Sequence, residues 1–65
     1  MDWRCFLLDR GGKIESIEQM DGSLEEAEAV ALCRHMLVSS GSYQAFELWR
    51  GARRVYAELR HAAAS

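Results

Sequence analysis

The chain has 65 residues, a net charge of −2, 49% hydrophobic side chains and no proline. That length holds one domain with one small core and buries roughly 60% of the unfolded surface, so a lone subunit is marginally stable and association would help it. The apolar content excludes disorder of the charged, low-hydrophobicity kind, and two cysteines, Cys5 and Cys33, are too few for the disulfide framework of a small secreted domain.

The first apolar run is Cys5-Phe6-Leu7-Leu8, which ends at Asp9 and lacks the length and flanks of a signal peptide or membrane span. The expectation is a soluble cytoplasmic protein with free thiols and no membrane contact. Trp3 to Leu8 reads as a strand, Asp9-Arg10-Gly11-Gly12 as a tight turn, and Lys13 to Met20 as the returning strand of a first hairpin. Ile14 and Ile17 are three apart and point to opposite faces of a regular strand. A bulge near Glu15-Ser16, or an edge position, reconciles them.

Asp21-Gly22 breaks the strand, and Ser23 with Glu26 has the spacing of a capping box, which predicts a helix from Leu24 to about Val38. Glu25, Glu26 and Glu28 suit the first turn, and Gly41 suits a left-handed cap after the end. Ala27, Val30, Ala31, Leu37 and Val38 form one apolar stripe, whereas Ala29, Leu32, Cys33 and Met36 form another. Either one broad stripe is buried, with Leu32 or Met36 half exposed, or the second stripe meets another protein chain.

Tyr43 to Leu59 reads as a second hairpin around a two-residue loop at Arg50-Gly51, pairing Leu48 with Arg53, Glu47 with Arg54 and Phe46 with Val55. That register turns Phe46, Leu48, Val55, Ala57 and Leu59 toward the helix and puts Trp49, Tyr56 and a Glu47–Arg54 ion pair on the outer face. Leu48 opposite a charged Arg53 is its weak point: the arginine lies at the rim or the register is wrong. Residues 60–65 read as a fraying tail.

No residues assemble into chemistry. Cys33 and His35 are two apart on a helix and point away from each other, Cys5 with His61 is unconstrained, and Cys5, Cys33, His35 and His61 lack the spacings of a zinc site. Gly11-Gly12 is a turn rather than a phosphate loop, so neither an enzyme nor a cofactor is expected. Trp49, Tyr56 and Arg54 have the ingredients of a single-strand nucleic-acid platform, against which stand the net negative charge and Glu47 and Glu58 on the same face. Residues 1–30 carry eight acidic and three basic side chains, and residues 31–65 carry two and five, an imbalance that interleaved strands can erase.

In its order of motifs the chain resembles a group of short bacterial proteins of unknown function. The likeness runs through Arg4-Cys5-Phe6-Leu7-Leu8-Asp9, Gly12-Lys13-Ile14, Glu26-Ala27 and Phe46 to Val55, covers nearly the whole chain, and implies fold and bacterial origin but no activity. A hairpin followed by Ser23-Leu24-Glu25-Glu26-Ala27 is also similar to small antitoxin domains of the partial ribonuclease-H type. Those domains usually carry a proline-containing segment between hairpin and helix, and this chain has no proline.

The predicted architecture is α+β, ordered strand, strand, helix, strand, strand, with one four-stranded antiparallel sheet and the helix on one face. A right-handed path from the second strand to the third favours the first strand beside the third. The predicted function is protein–protein interaction, as a homodimer or with another protein, through a surface drawn from Leu32, Met36, Trp49, Arg54 and Tyr56. The alternative is a nucleic-acid-binding or antitoxin-like regulatory domain.

Overall fold

A computed structural model of the chain describes residues 1–60. Its elements are β1 (Trp3–Leu8), β2 (Ile14–Met20), α1 (Glu26–Ser39), β3 (Ala45–Arg50) and β4 (Arg53–Leu59). The strands form one antiparallel sheet in the order β2-β1-β3-β4, so the first strand does lie beside the third. The α+β class and the ββαββ order are as the sequence predicts.

The first hairpin turns on one carboxylate. Asp9 Oδ1 accepts from the amides of Gly11 at 2.8 Å and Lys13 at 3.0 Å, and Gly12 takes the positive φ of 83° that the return requires. Both remedies offered for Ile14 and Ile17 hold. The register slips between Leu7 and Leu8, leaving Glu15 unpaired as a bulge, and β2 is an edge strand. Ile17 then pairs with Phe6 and Ile14 with Leu8, so both isoleucines point to one face.

The helix begins two residues later than predicted. Residues 21–24 form a turn, in which Asp21 accepts from the Ser23 amide through its side chain and from the Leu24 amide through its carbonyl. Glu25 is therefore the N-cap, and Glu28 accepts from its amide at 2.9 Å, so the box is shifted from Ser23 and Glu26 by two positions. The indole of Trp3 donates to Leu24 O at 2.9 Å and pins this turn to the sheet.

The far end is not closed by Gly41. Ser40 is extended, and no glycine but Gly12 and Gly51 has positive φ among the described residues. Instead the Arg60 guanidinium donates to the carbonyls of Leu37 in the last turn, Ser40 at the cap and Tyr43 beyond it, a cation placed at the negative end of the helix. Arg60, the first residue of the predicted fraying tail, is thus anchored; residues 61–65 lie outside the described residues.

The core lies between α1 and the two central strands. Trp3, Cys5 and Leu7 of β1, Phe46 and Leu48 of β3, and Ala29, Cys33 and Leu37 of α1 are buried together. Neither predicted helical stripe is the buried one as drawn. Ala29, Cys33 and Met36 of the second face inward with Val30 and Leu37 of the first, leaving Ala27, Ala31, Leu32 and Val38 exposed.

The predicted register of the second hairpin is wrong, and it fails at Leu48 as the charged neighbour suggested. The loop is Gly51-Ala52, closed by Arg50 opposite Arg53. Gly51 at φ 62° followed by a residue without positive φ fits the hairpin turn that takes glycine first. A loop displaced by one residue preserves the faces; a bulge at Val55 reverses them. Beyond it Leu48 faces Tyr56, Phe46 faces Glu58 and Glu47 faces Ala57, so Tyr56 and Glu58 turn toward the helix and Ala57 and Leu59 turn away.

Candidate interaction surface

One helix lies over the sheet on one side, chiefly on β1 and β3 with Arg34 reaching β4, and the other side of the sheet has no second layer among the described residues. Alternation along each strand decides what lies there. In β1 and its partners the residues between the core positions are Arg4 and Phe6, which pair with Gln19 and Ile17 of β2 and with Trp49 and Glu47 of β3. Next to them, Leu8 pairs with Ile14 and Ala45, and Ala45 with Leu59. The outer face is therefore an apolar field running from Ile14 and Ile17 on one edge through Phe6, Leu8 and Trp49 to Leu59 on the other.

Its edges are open to solvent: Ile14 is 56% exposed, Ile17 57% and Leu59 72%. Its middle is organised. The rings of Phe6 and Trp49 meet edge to face, with centroids 5.8 Å apart and planes at 85°. The Trp49 indole donates to Glu47 Oε1 at 3.0 Å, and Arg54 Nη1 donates to Glu47 Oε2 at 3.5 Å. Both oxygens of Glu47, the carboxylate at the centre of the face, are thereby occupied within the chain, which lowers the cost of removing it from water. A shallow hollow of about 340 Å³ opens beside Phe6, Ile14 and Trp49, with Arg4 at its border.

The predicted interaction residues separate into three places. Trp49 and Arg54 lie together on the outer face, Arg54 opposite Trp49 and diagonal to Glu47 rather than directly across from it. Tyr56 does not join them: its ring packs on buried Phe46 at 5.9 Å, and its hydroxyl donates to Glu58 and accepts from Arg34 of α1. Arg34 binds Glu58 through two nitrogens, Nε to Oε2 at 2.9 Å and Nη2 to Oε1 at 2.6 Å, and this pairing holds the guanidinium protonated above its usual range. Met36 packs against the core, while Leu32, 44% exposed, stands on the solvent side of the helix. The helix and the sheet thus contribute separate surfaces, and the second stripe is not an intact one.

The sequence reasoning missed Arg4, Phe6, Ile14, Ile17 and Leu59 as members of this face. The signal for Phe6 was present in the strand Trp-Arg-Cys-Phe-Leu-Leu, whose aromatic and aliphatic residues fall on both sides of the pleat. That for Leu59 was not, because it depends on the bulge at Val55.

The strands of the two halves do not interleave: β2 and β1 from the acidic half form one side of the sheet and β3 and β4 from the basic half the other, where Arg34 and Arg54 are paired with Glu58 and Glu47. His35 is exposed and Cys33 buried, so they do not meet, and His61 lies outside the described residues. Among the described residues no helix is long and apolar enough to cross a membrane, and no cluster of three or more His, Cys, Asp or Glu could hold a metal ion. The chain matches no family model, no curated protein and no solved structure.

Proposed function

We propose that this protein is a protein–protein interaction module that self-associates, two copies meeting through the outer faces of their sheets. The observation that carries the reading is the placement of Ile14, Ile17, Phe6, Leu8, Trp49 and Leu59 on a face that the chain leaves uncovered. Isolated apolar side chains on a surface are ordinary; a contiguous field across four strands is the feature of an interaction site. Self-association follows from three properties of the field. It spans all four strands, its one central carboxylate is already hydrogen-bonded, and an aromatic pair sits at its middle beside aliphatic groups that a two-fold axis can set against their own copies. The same proposal includes a bacterial, cytoplasmic setting, which the resemblance to short bacterial proteins supports, and a role without catalysis.

Sedimentation velocity from micromolar to millimolar concentration tests it. The expected result is a concentration-dependent shift from the 7.4 kDa monomer toward a dimer, abolished by Ile17→Lys on the open edge of the field. A monomer throughout, or a dimer indifferent to that substitution, removes the reading.

A second reading, nucleic-acid binding, draws on Arg4 and Arg54 flanking the Phe6 and Trp49 rings. It predicts salt-sensitive binding of a single-stranded oligonucleotide, weakened by Trp49→Ala and Arg54→Ala. No anisotropy change with labelled oligonucleotides at low salt discards it.

A further inference from the structure

Cys5 is the middle core residue of β1 and Cys33 the middle buried residue of α1, and both are 0% exposed in the same cluster. One stands on the sheet and the other on the helix, so they face one another across the core layer, and each perturbs the other's thiol. No other pair of nucleophilic side chains meets in this way among the described residues. Leu48 flanks Cys5 on β3 and Glu18 flanks it on β2, while Ala29 and Leu37 precede and follow Cys33 by one helical turn. The Cys33 side chain, followed by burial, holds the Cys5 thiol far above its ordinary range, while Cys5 in turn lowers Cys33; with both residues 0% exposed, an oxidant reaches neither sulfur while the fold is closed.

We propose that Cys5 and Cys33 form a redox-operated strap, closed by an oxidant of the disulfide class into a covalent link between β1 and α1. In the first step α1 lifts locally and one cysteine, as thiolate, attacks a sulfur of glutathione disulfide; the S–S bond breaks, a mixed disulfide forms and one glutathione leaves. The second cysteine then displaces the other glutathione. The two protein thiols have given up two protons and two electrons, and the oxidant has become two thiols. Closing the bond brings the sulfurs to about 2.05 Å, a movement taken up by sliding of the helix on the sheet, with the small Ala29 one turn away from Cys33.

The strap has a thermodynamic signature. The effective concentration of one thiol toward the other, measured against glutathione, is higher in a fold that already holds the two together than in the unfolded chain. By linkage the same ratio is the stability that the bond adds to the fold. Wild-type protein is equilibrated with mixtures of glutathione and glutathione disulfide, in buffer and again in concentrated urea, then acid-quenched and weighed by intact-mass spectrometry. The expected result is an intramolecular disulfide, about 2 Da lighter than the reduced chain, with an effective concentration in buffer about 10- to 100-fold above that in urea. A rise in melting temperature on the order of 10 °C accompanies it. An effective concentration in buffer equal to or below that in urea overturns the proposal, because the two cysteines are then filling space in a geometry that resists the bond. Glutathione adducts alone, or a disulfide between two chains, overturn it equally.

Discussion

On the helix side of β1, Trp3, Cys5 and Leu7 are buried, whereas Phe6 and Leu8, drawn from the same six residues, remain half-buried on the other side. The same division runs through β3, where Phe46 and Leu48 are sealed and Trp49 is not. Composition does not separate the two faces; cover does. The helix side is a core because α1 spends Ala29, Cys33 and Leu37 on it and because both ends of the helix are tied to the sheet, by the Trp3 indole at the start and by Arg60 at the finish. On β1 and β3 the outer side has equal aromatic content, Phe6 and Trp49 against Trp3 and Phe46, and no such layer among the described residues. A strand apolar on both faces is the pattern of a sheet covered twice, and here the described residues supply one cover.

This comparison is broken most severely by removing the core of the covered face. Phe46→Ala leaves a cavity at a fully buried position and is expected to cost about 3–5 kcal/mol, enough to unfold much of so small a domain, as read from urea denaturation followed by circular dichroism. Arg60→Ala removes charged donors from three carbonyl groups and is expected to cost about 2 kcal/mol; Arg60→Lys restores little, because a single ammonium does not reproduce the guanidinium fork. If cover depends on that clamp, hydrogen exchange in the last turn of α1 accelerates in both variants.

Gly51→Ala forces a side chain onto φ 62° and into contact with the Met1 sulfur, with an expected loss of about 1 kcal/mol in thermal melts. On the outer face Ile17→Lys is expected to change monomer stability by no more than about 0.5 kcal/mol, in sharp contrast to Phe46→Ala two strands away. A large loss at Ile17 would mean that the outer face is covered after all.

The smallest effect belongs to the turn before α1. The Ser23 amide, accepted by Asp21, holds that carboxyl below its ordinary value of 3.8. A carboxyl depressed in the folded state contributes stability that is present above the ordinary value and lost as the pH falls through the folded one. Asp21→Asn is therefore expected to lower the melting temperature slightly at neutral pH, with the gap from wild type closing as the pH falls below the ordinary carboxyl value.

Much of this was readable from residue order. Glycines at Gly11-Gly12 and Gly51 mark both hairpins, Asp21 with its glutamates marks the approach to the helix, and the chain length leaves room for one helix on one sheet. The bulge at Glu15 was legible too, because Ile14 and Ile17 break alternation in a way only an extra residue mends. The bulge at Val55 left no such trace: Val55, Tyr56 and Ala57 are all acceptable on either face, so regular alternation reads as well as the true arrangement and reverses the end of β4. The helix boundary slipped because Ser23 and Glu25 both have an acidic residue three places on, and the choice between them is made by Asp21 capturing the Ser23 amide. Arg60 was illegible as a helix clamp because its three acceptors lie about twenty residues upstream and are brought to it only by the return of β4.

The position of β1 in the sheet also governs how the chain reaches this state. The strand made first lies at the centre, and its partner β3 comes from the far half of the sequence: Leu8 joins Ala45, and Trp3 joins Arg50. Each hairpin zips through a short loop within microseconds, but the two halves cohere only when β1 finds β3, a closure across the intervening helix. Substitutions along that seam are therefore expected to slow refolding in stopped-flow experiments, whereas those on the edge strands chiefly hasten unfolding.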